Sequence, residues 1–253
     1  MILWADTFNR NFEPENLHAA ARVLAAAGYV VEIAEPESGR PLCCGRTYLA
    51  AGLVKEAAAE MARAATTLLP HIAEGATVVG LEPSCILTFR DEAPRLKDAG
   101  WTEEAGRKVM VFEEFLAAEA NAGNLDLALA PIGATALLHG HCHQKAHNVM
   151  TPVQQVLSLI PDMTVELIES SCCGMAGAFG YQVETYEVSK EMAELSLAPA
   201  VRAAPADTLI VADGTSCRHQ IVDLGGREAL HVARVLEMAM DAVDHHATNV
   251  AAE

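Results

Sequence analysis

Val165-Glu166-Leu167-Ile168-Glu169-Ser170-Ser171-Cys172-Cys173-Gly174 runs a short apolar strand into a pair of adjacent cysteines and a glycine. The same Cys-Cys-Gly triplet stands 129 residues earlier, at Cys43-Cys44-Gly45. Adjacent cysteines do not readily close a disulfide with each other, because neighbouring side chains diverge. Both can reach one polynuclear metal centre. One further cysteine follows each triplet, Cys85 after the first and Cys217 after the second, and Cys142 precedes the second. Together these are all seven cysteines of the chain.

The surrounding pattern repeats as well. Apolar runs at 2–5, 29–34 and 77–81 predict strands. Helical spacing covers 14–27, with Leu17, Ala20, Ala21 and Leu24 on one stripe and Gly28 as the stop, and again 54–69. A short helix at 83–89 carries Cys85. The stretch 121–131, with Asn, Gly and Pro, is the best linker candidate, and the order then recurs. Strands are expected at 135–139, 165–168 and 209–212, and helices at 149–159, 186–197 and 233–242. Alternating strands and helices predict an α/β fold: two tandem, pseudo-symmetric, Rossmann-like parallel units, 1–125 and 132–243, then a flexible tail at 244–253. Cys44 maps onto Cys173 and Cys85 onto Cys217, while Cys142 maps near Thr7. Thr7 thus occupies the place of a missing fourth cysteine. In such sheets functional groups gather at the carboxyl ends of the strands, where these loops fall.

The chain has 253 residues, enough for two modest domains without disulfide staples. Its net charge of −17 disfavours nucleic acid and anionic membrane surfaces. No apolar run reaches the length of a transmembrane segment. The N-terminal residues Met1 to Asp6 lack a basic region and a cleavage signature. Cysteines without a secretion signal imply a reducing, cytoplasmic compartment, where they bind metal or do redox work. The chain could be a complete small subunit or the excised end of a longer protein.

Cys142, Cys172, Cys173 and Cys217 form a four-thiolate set, suited to a 4Fe-4S cluster or to tetrahedral zinc. The small-residue loop Gly174-Met175-Ala176-Gly177-Ala178-Phe179-Gly180 lets backbone N–H groups approach cluster sulfurs. The bland alternative is buried core cysteines beside a glycine-rich turn. Cys43, Cys44 and Cys85 form an incomplete set, which is either a second metal site with Thr7, Asp6 or an outside group as fourth ligand, or a relic. His139-Gly140-His141-Cys142-His143 surrounds one ligand candidate with histidines. Alternation in an extended loop would put His139, His141 and His143 on one side and Cys142 on the other; the histidines read as a solvated loop or as hydrogen-bond donors behind the ligands, in preference to direct ligation. Ser84 and Ser216 are candidate helix caps. There is no Gly-x-Gly-x-x-Gly at a strand-to-helix turn and no serine elbow, so no catalytic residue is assigned.

These residues resemble the tandem cysteine-rich "CCG" domain family. That family includes the CCG-bearing subunit of heterodisulfide reductase, the glycolate oxidase iron-sulfur subunit, and accessory subunits of lactate-utilisation and glycerol-3-phosphate dehydrogenase systems. The likeness is strongest to the C-terminal iron-sulfur part of fused FAD-linked oxidases that oxidise D-2-hydroxy acids. It rests on Gly80-Leu81-Glu82-Pro83-Ser84-Cys85, His139-Gly140-His141-Cys142-His143, Cys172-Cys173-Gly174-Met175-Ala176-Gly177 and Ala212-Asp213-Gly214-Thr215-Ser216-Cys217-Arg218. The fuller family pattern has a cysteine at the Thr7 position and Cys-x-x-Cys where only Cys85 or Cys217 stands. The resemblance therefore implies one ordinary cluster, in the second half.

It further implies an iron-sulfur electron-transfer module or subunit of a flavin-linked 2-hydroxy-acid dehydrogenase, of D-lactate, glycolate or D-2-hydroxyglutarate type. FAD would sit only on a partner domain or subunit, and electrons would leave to a quinone or carrier protein. Location would be cytoplasmic, peripheral to the inner membrane only through partners. The competing readings are a heterodisulfide or thiol reductase-like catalytic subunit and a non-redox, zinc-stabilised interaction domain.

Overall fold

The structure, a computed structural model, describes residues 1–36 and 39–250. It divides into two compact units, Met1–Phe115 and Leu116–Glu253. The division falls inside the helix Phe112–Asn121, ahead of the stretch 121–131.

In the first unit three parallel strands, β1 (Ile2–Trp4), β2 (Val78–Gly80) and β3 (Val109–Val111), pair in the order β1-β2-β3. Ile2 sits opposite Val78, and Val78 opposite Val109. β1 and β2 are buried along their whole length, so their sequences are continuous apolar runs rather than alternating ones. The helix Pro14–Ala26 starts on proline, whose missing N–H is no loss there. It buries Leu17, Ala20 and Leu24 as expected, joined by Ala19 and Val23, while Ala21 is only half-buried. The helix Val54–Ala73 buries Ala57, Met61, Ala64, Ala65 and Leu68. Aromatic rings lock the Cys85-bearing segment into this core. Phe89 meets Trp4 edge-on at 5.0 Å and stacks on Trp101 at 4.6 Å, and Trp101 Nε1 donates to the Met61 carbonyl at 3.0 Å.

One expected strand is absent. The stretch 29–34 makes only a single bridge, Glu32 with Ile2, at the free edge of β1. Val30 is 74% exposed, so no layer covers its apolar side and pairing stops after one residue. Conversely, β3 is too short to stand out among its helical neighbours in the sequence.

In the second unit β4 (Thr135–Leu138) is central, with β5 (Thr164–Leu167) and β6 (Leu209–Val211) parallel on either side, in the order β5-β4-β6. Leu138 sits opposite Leu167 and Val211. A bridge from Val211 to Leu230 extends the far edge. The helix Met150–Leu157 buries Val153, Val156 and Leu157, and the closing helix Val232–Val250 buries Val232, Val235, Leu236 and Ala239. That helix overlaps the stretch 244–253 expected as a tail, and 251–253 lie outside the described residues.

The two sheets share one plan. Glu32, β1, β2 and β3 follow the same spatial order as β5, β4, β6 and Leu230. Each unit has reduced one edge of a four-position sheet to a single bridge, at opposite ends. Both chain halves therefore deliver their cysteine loops from equivalent strand ends.

Removing the ring at the centre of the first core leaves a large cavity. Phe89→Ala should cost roughly 3–5 kcal/mol. Both tryptophans of the chain, Trp4 and Trp101, flank Phe89, so urea denaturation followed by tryptophan fluorescence reads that loss in the first unit directly.

Candidate metal centre

In the second unit three strand ends feed one cluster of thiols. After β4 the chain turns at His141, which caps the short helix Cys142–Ala146. Its Nδ1 accepts the His143 N–H at 3.1 Å, and Gln144 Oε1 accepts the His141 N–H at 3.0 Å, a reciprocal capping box. Cys142 is thereby placed as the first residue of the helix. After β6, Cys217 is the third residue of the helix Thr215–Gln220. Gln144 Nε2 donates to Asp213 Oδ2 at 2.7 Å, tying these two turns together. Buried Arg218 knots the Cys217 turn from inside, donating to the Ala212 and Asp213 carbonyls at 2.9 and 2.7 Å and to Thr215 Oγ1 at 3.1 Å.

The Cys172-Cys173-Gly174 turn completes the set. Gly174 takes φ +97°, and its N–H donates to Cys172 Sγ at 3.3 Å. A side chain there would lie 2.3 Å from the Ser189 carbonyl oxygen. The conformation and the space both require glycine. Lys145 braces the approach to this turn, donating to the Ser170 carbonyl and, at 2.9 Å, to that of Ser171.

The four thiols influence one another as a row: Cys142 with Cys172, Cys172 with Cys173, and Cys173 with Cys217. Crowded thiols cannot all ionise, so the row alternates. Hydrogen bonds from Cys142 and Cys173 push Cys172 down to about 2. The bond from Cys173, aided by His141 and His139, lowers Cys217 against the cost of burial. Cys142, bonded to Cys172 and partly buried, is raised. Cys173 is raised by its bonds to Cys172 and Cys217 and by burial. Histidines line the row: a nitrogen of His139 lies within 4.8 Å of the Cys173 and Cys217 sulfurs, and His141 and His143 Nδ1 lie 4.0 and 3.6 Å from Cys142 Sγ. The expected alternation is thus corrected. The chain enters a helix at Cys142, which gathers His141, Cys142 and His143 instead of opposing them.

The first unit repeats the geometry with different charge. Thr7 is the first residue of the helix Thr7–Asn11, the position Cys142 holds in the second unit. Gly45, at φ +77°, donates its N–H to Cys43 Sγ at 3.5 Å, and Cys85 is the third residue of the helix Pro83–Ile86. Cys43, Cys44 and Cys85 form a shorter row that Thr7 joins through Cys43. Here carboxylates replace histidines. Buried Asp6, the cap of the first helix, is pushed up to about 6 by burial and by Glu82. A hydrogen bond from Cys44 lowers Cys85, but burial, Asp6 and Glu82 outweigh it and raise it to about 12. Cys43 is raised by its bond to Cys44 and by burial. Cys44 is raised as well, because Cys85 and burial outweigh the bond from Cys43.

Ser84 and Ser216 are not the caps. Those positions belong to Glu82, which accepts the Ser84 N–H and hydroxyl at 3.2 and 2.6 Å, and to Gly214. Each serine is the second residue of its helix, two positions past the cap. Lys145, Gln144 and the part played by Glu82 at the first site were missed from sequence, whereas Asp6 was named there as a possible ligand. Lys145 and Gln144 follow Cys142 within one helical turn, and that spacing was the signal available.

Two α/β units, each gathering thiols at its strand ends, define the class of molecule. Residues 6–90 and 136–222 match the cysteine-rich domain family (CCG), and the chain belongs to that family. It is 25% identical over 203 residues to a subunit of the anaerobic glycerol-3-phosphate dehydrogenase of Escherichia coli K12, covering 79% of this chain and 49% of that protein. It is 27% identical over 242 residues to the D-2-hydroxyglutarate dehydrogenase of Pseudomonas putida, covering 93% of this chain and 22% of that protein. The D-2-hydroxyglutarate dehydrogenase of Pantoea ananatis is 25% identical over 237 residues, covering 93% of this chain and 22% of that protein. The chain thus spans about half the length of the first relative and about a fifth of the other two. No helix among the described residues is long and apolar enough to cross a membrane.

The glycine requirement is testable by contrast. Gly226 also has positive φ, at +68°, but nothing lies within 4 Å of an added Cβ. Gly226→Ala should cost only the left-handed backbone strain, about 1–2 kcal/mol. Gly174→Ala adds a backbone clash and should cost roughly 2–5 kcal/mol in urea denaturation followed by circular dichroism.

Proposed function

We propose that Cys142, Cys172, Cys173 and Cys217 hold a 4Fe-4S cluster, and that the chain carries electrons for a flavin-linked 2-hydroxy-acid dehydrogenase. The observation that carries this reading is the row of four thiols delivered by separate strand-end loops and ringed by His139, His141, His143 and Lys145. Two of the four already favour the thiolate form that a soft metal requires, and the Gly174 N–H points at a ligand sulfur. Such a centre, when bound, supplies one-electron transfer. The residues of the chain supply the rest. The capping box and the Gln144–Asp213 bond hold Cys142 and Cys217 in register, and Lys145 fixes the segment before Cys172. Burial of Cys173 and Cys217 keeps water from the inner sulfurs.

The site around Cys43, Cys44 and Cys85 has three thiols, raised on balance, and two carboxylates, a poorer setting for an anionic cluster. This contrast favours a single cluster, in the second half. The partner is inferred from the relatives, whose names place them in glycerol-3-phosphate and D-2-hydroxyglutarate dehydrogenases. FAD belongs to a partner domain or subunit in this scheme, and the acceptor is a quinone or carrier protein. The net charge of −17 suits a basic docking face, so the rate should fall as salt is added.

Anaerobically prepared protein should contain iron and acid-labile sulfide together. Cys172→Ser or Cys173→Ser should abolish both, because serine oxygen is a poor soft-metal ligand, whereas Cys85→Ser should leave them nearly unchanged. Zinc without sulfide in carefully reconstituted protein would reject the cluster and favour a zinc-stabilised domain.

The role is tested by dye reduction with the flavin-bearing partner. Adding this chain should speed electron flow to the dye, and the chain alone should not oxidise D-lactate or D-2-hydroxyglutarate. No effect on the partner, or turnover by the chain alone, would refute electron transfer. Disulfide reduction by the chain would favour the reductase reading.

A further inference from the structure

His139 follows β4 and is almost fully buried, 1% exposed. Its two ring nitrogens face different surroundings. Nδ1 lies 2.9 Å from Ser170 Oγ. That hydroxyl has its own acceptor in the Ile168 carbonyl, at 3.4 Å, which leaves a lone pair for the histidine. Neutral His139 is then the Nδ1–H tautomer, and its lone pair sits on Nε2. Nε2 is buried and makes no hydrogen bond of ordinary geometry. A buried polar atom left in that state requires an explanation. A His139 ring nitrogen lies within 4.8 Å of the Cys173 and Cys217 sulfurs, which lie within the same distance of each other. With Nδ1 engaged by Ser170, Nε2 is the nitrogen available to them.

The neighbouring histidines differ. His141 Nδ1 already accepts the His143 N–H as a helix cap, and His143 is only partly buried. His139 alone among the three combines near-complete burial, a ring fixed by a hydrogen bond behind it, and a site-facing nitrogen that makes no hydrogen bond of ordinary geometry. A ring held through one nitrogen while the other is offered forward is the arrangement of a metal-ligating histidine.

We propose that His139 Nε2 is a direct nitrogen donor to the metal centre, alongside the sulfurs of Cys173 and Cys217. This inference rests on the reading that the second half holds iron. Imidazole is an accepted ligand for iron, and as a neutral fifth donor beside the four thiolates it adds no negative charge, so the reduction potential stays above that of the same site with a fifth thiolate. Ser170 is a positioning residue, since it fixes the ring without facing the metal.

The experiment uses the full chain labelled with 15N-histidine, reconstituted with iron and sulfide, reduced, and examined by pulsed electron-nuclear double resonance. The expected result is one strongly coupled histidine nitrogen in the wild type. It should be lost in His139→Gln, retained in His141→Gln, and altered in Ser170→Ala, which removes the ring's anchor together with a contact to Lys145. His139→Cys, with a charged sulfur in place of nitrogen, should keep iron and shift the potential downward. Iron in the wild type without a coupled nitrogen would overturn the ligand assignment and leave the cluster intact. Coupling that survives His139→Gln would overturn it too. Wild-type protein that takes up no iron would overturn the cluster reading itself, and this inference with it.

Discussion

Four sulfur atoms held side by side cannot all be thiolates without a counter-charge. Repulsion between neighbours opposes full ionisation of the row, and in the second unit Cys142 and Cys173 are the thiols it raises. The surrounding structure serves to hold this unfavourable arrangement in place. Loops from three parallel strands converge on it, Gly174 adopts a backbone that other residues resist, and Arg218 and Gln144 fill the space behind it with satisfied hydrogen bonds. A soft cation bound to the sulfurs would remove the protons and the repulsion together. The fold by itself holds the four sulfurs together.

Comparing the two halves separates backbone from charge. Both Cys-Cys-Gly turns carry a left-handed glycine whose N–H reaches the sulfur two residues earlier. Both late cysteines sit third in a short helix. What differs is the group at each helix entry. His141 caps the helix of Cys142, whereas Asp6 caps the helix of Thr7, and Glu82 stands where Gly214 does. Histidine adds no negative charge at the helix entry of the second site, whereas the two acids make the first site hostile to further negative charge. Loss of the fourth cysteine at Thr7 and the gain of carboxylates therefore act in the same direction.

Much of this was legible in the sequence, for a physical reason. Short parallel strands buried on both faces must be apolar throughout, so β1 and β2 announce themselves, and the largely apolar, partly buried β4 and β6 stand out almost as clearly. The offsets between Cys44 and Cys173 and between Cys85 and Cys217 carried the duplication. The stretch 29–34 misled because propensity does not report whether anything covers a strand, and Val30 is left in solvent. The histidine loop misled because an alternating pattern presumes extended backbone, while the capping box at His141 starts a helix. The pairing of Gln144 with Asp213, 69 residues apart, has no local signature at all.

The central claim is that metal sits in the second unit and is iron. Anomalous diffraction from crystals of anaerobically prepared protein, recorded on either side of the iron absorption edge, locates it without reference to activity. The account predicts a strong iron peak bounded by the sulfurs of Cys142, Cys172, Cys173 and Cys217, with none at Cys43, Cys44 and Cys85. A peak only beside Cys43, Cys44 and Cys85, or a second-unit peak that appears at the zinc edge and not at the iron edge, would contradict it.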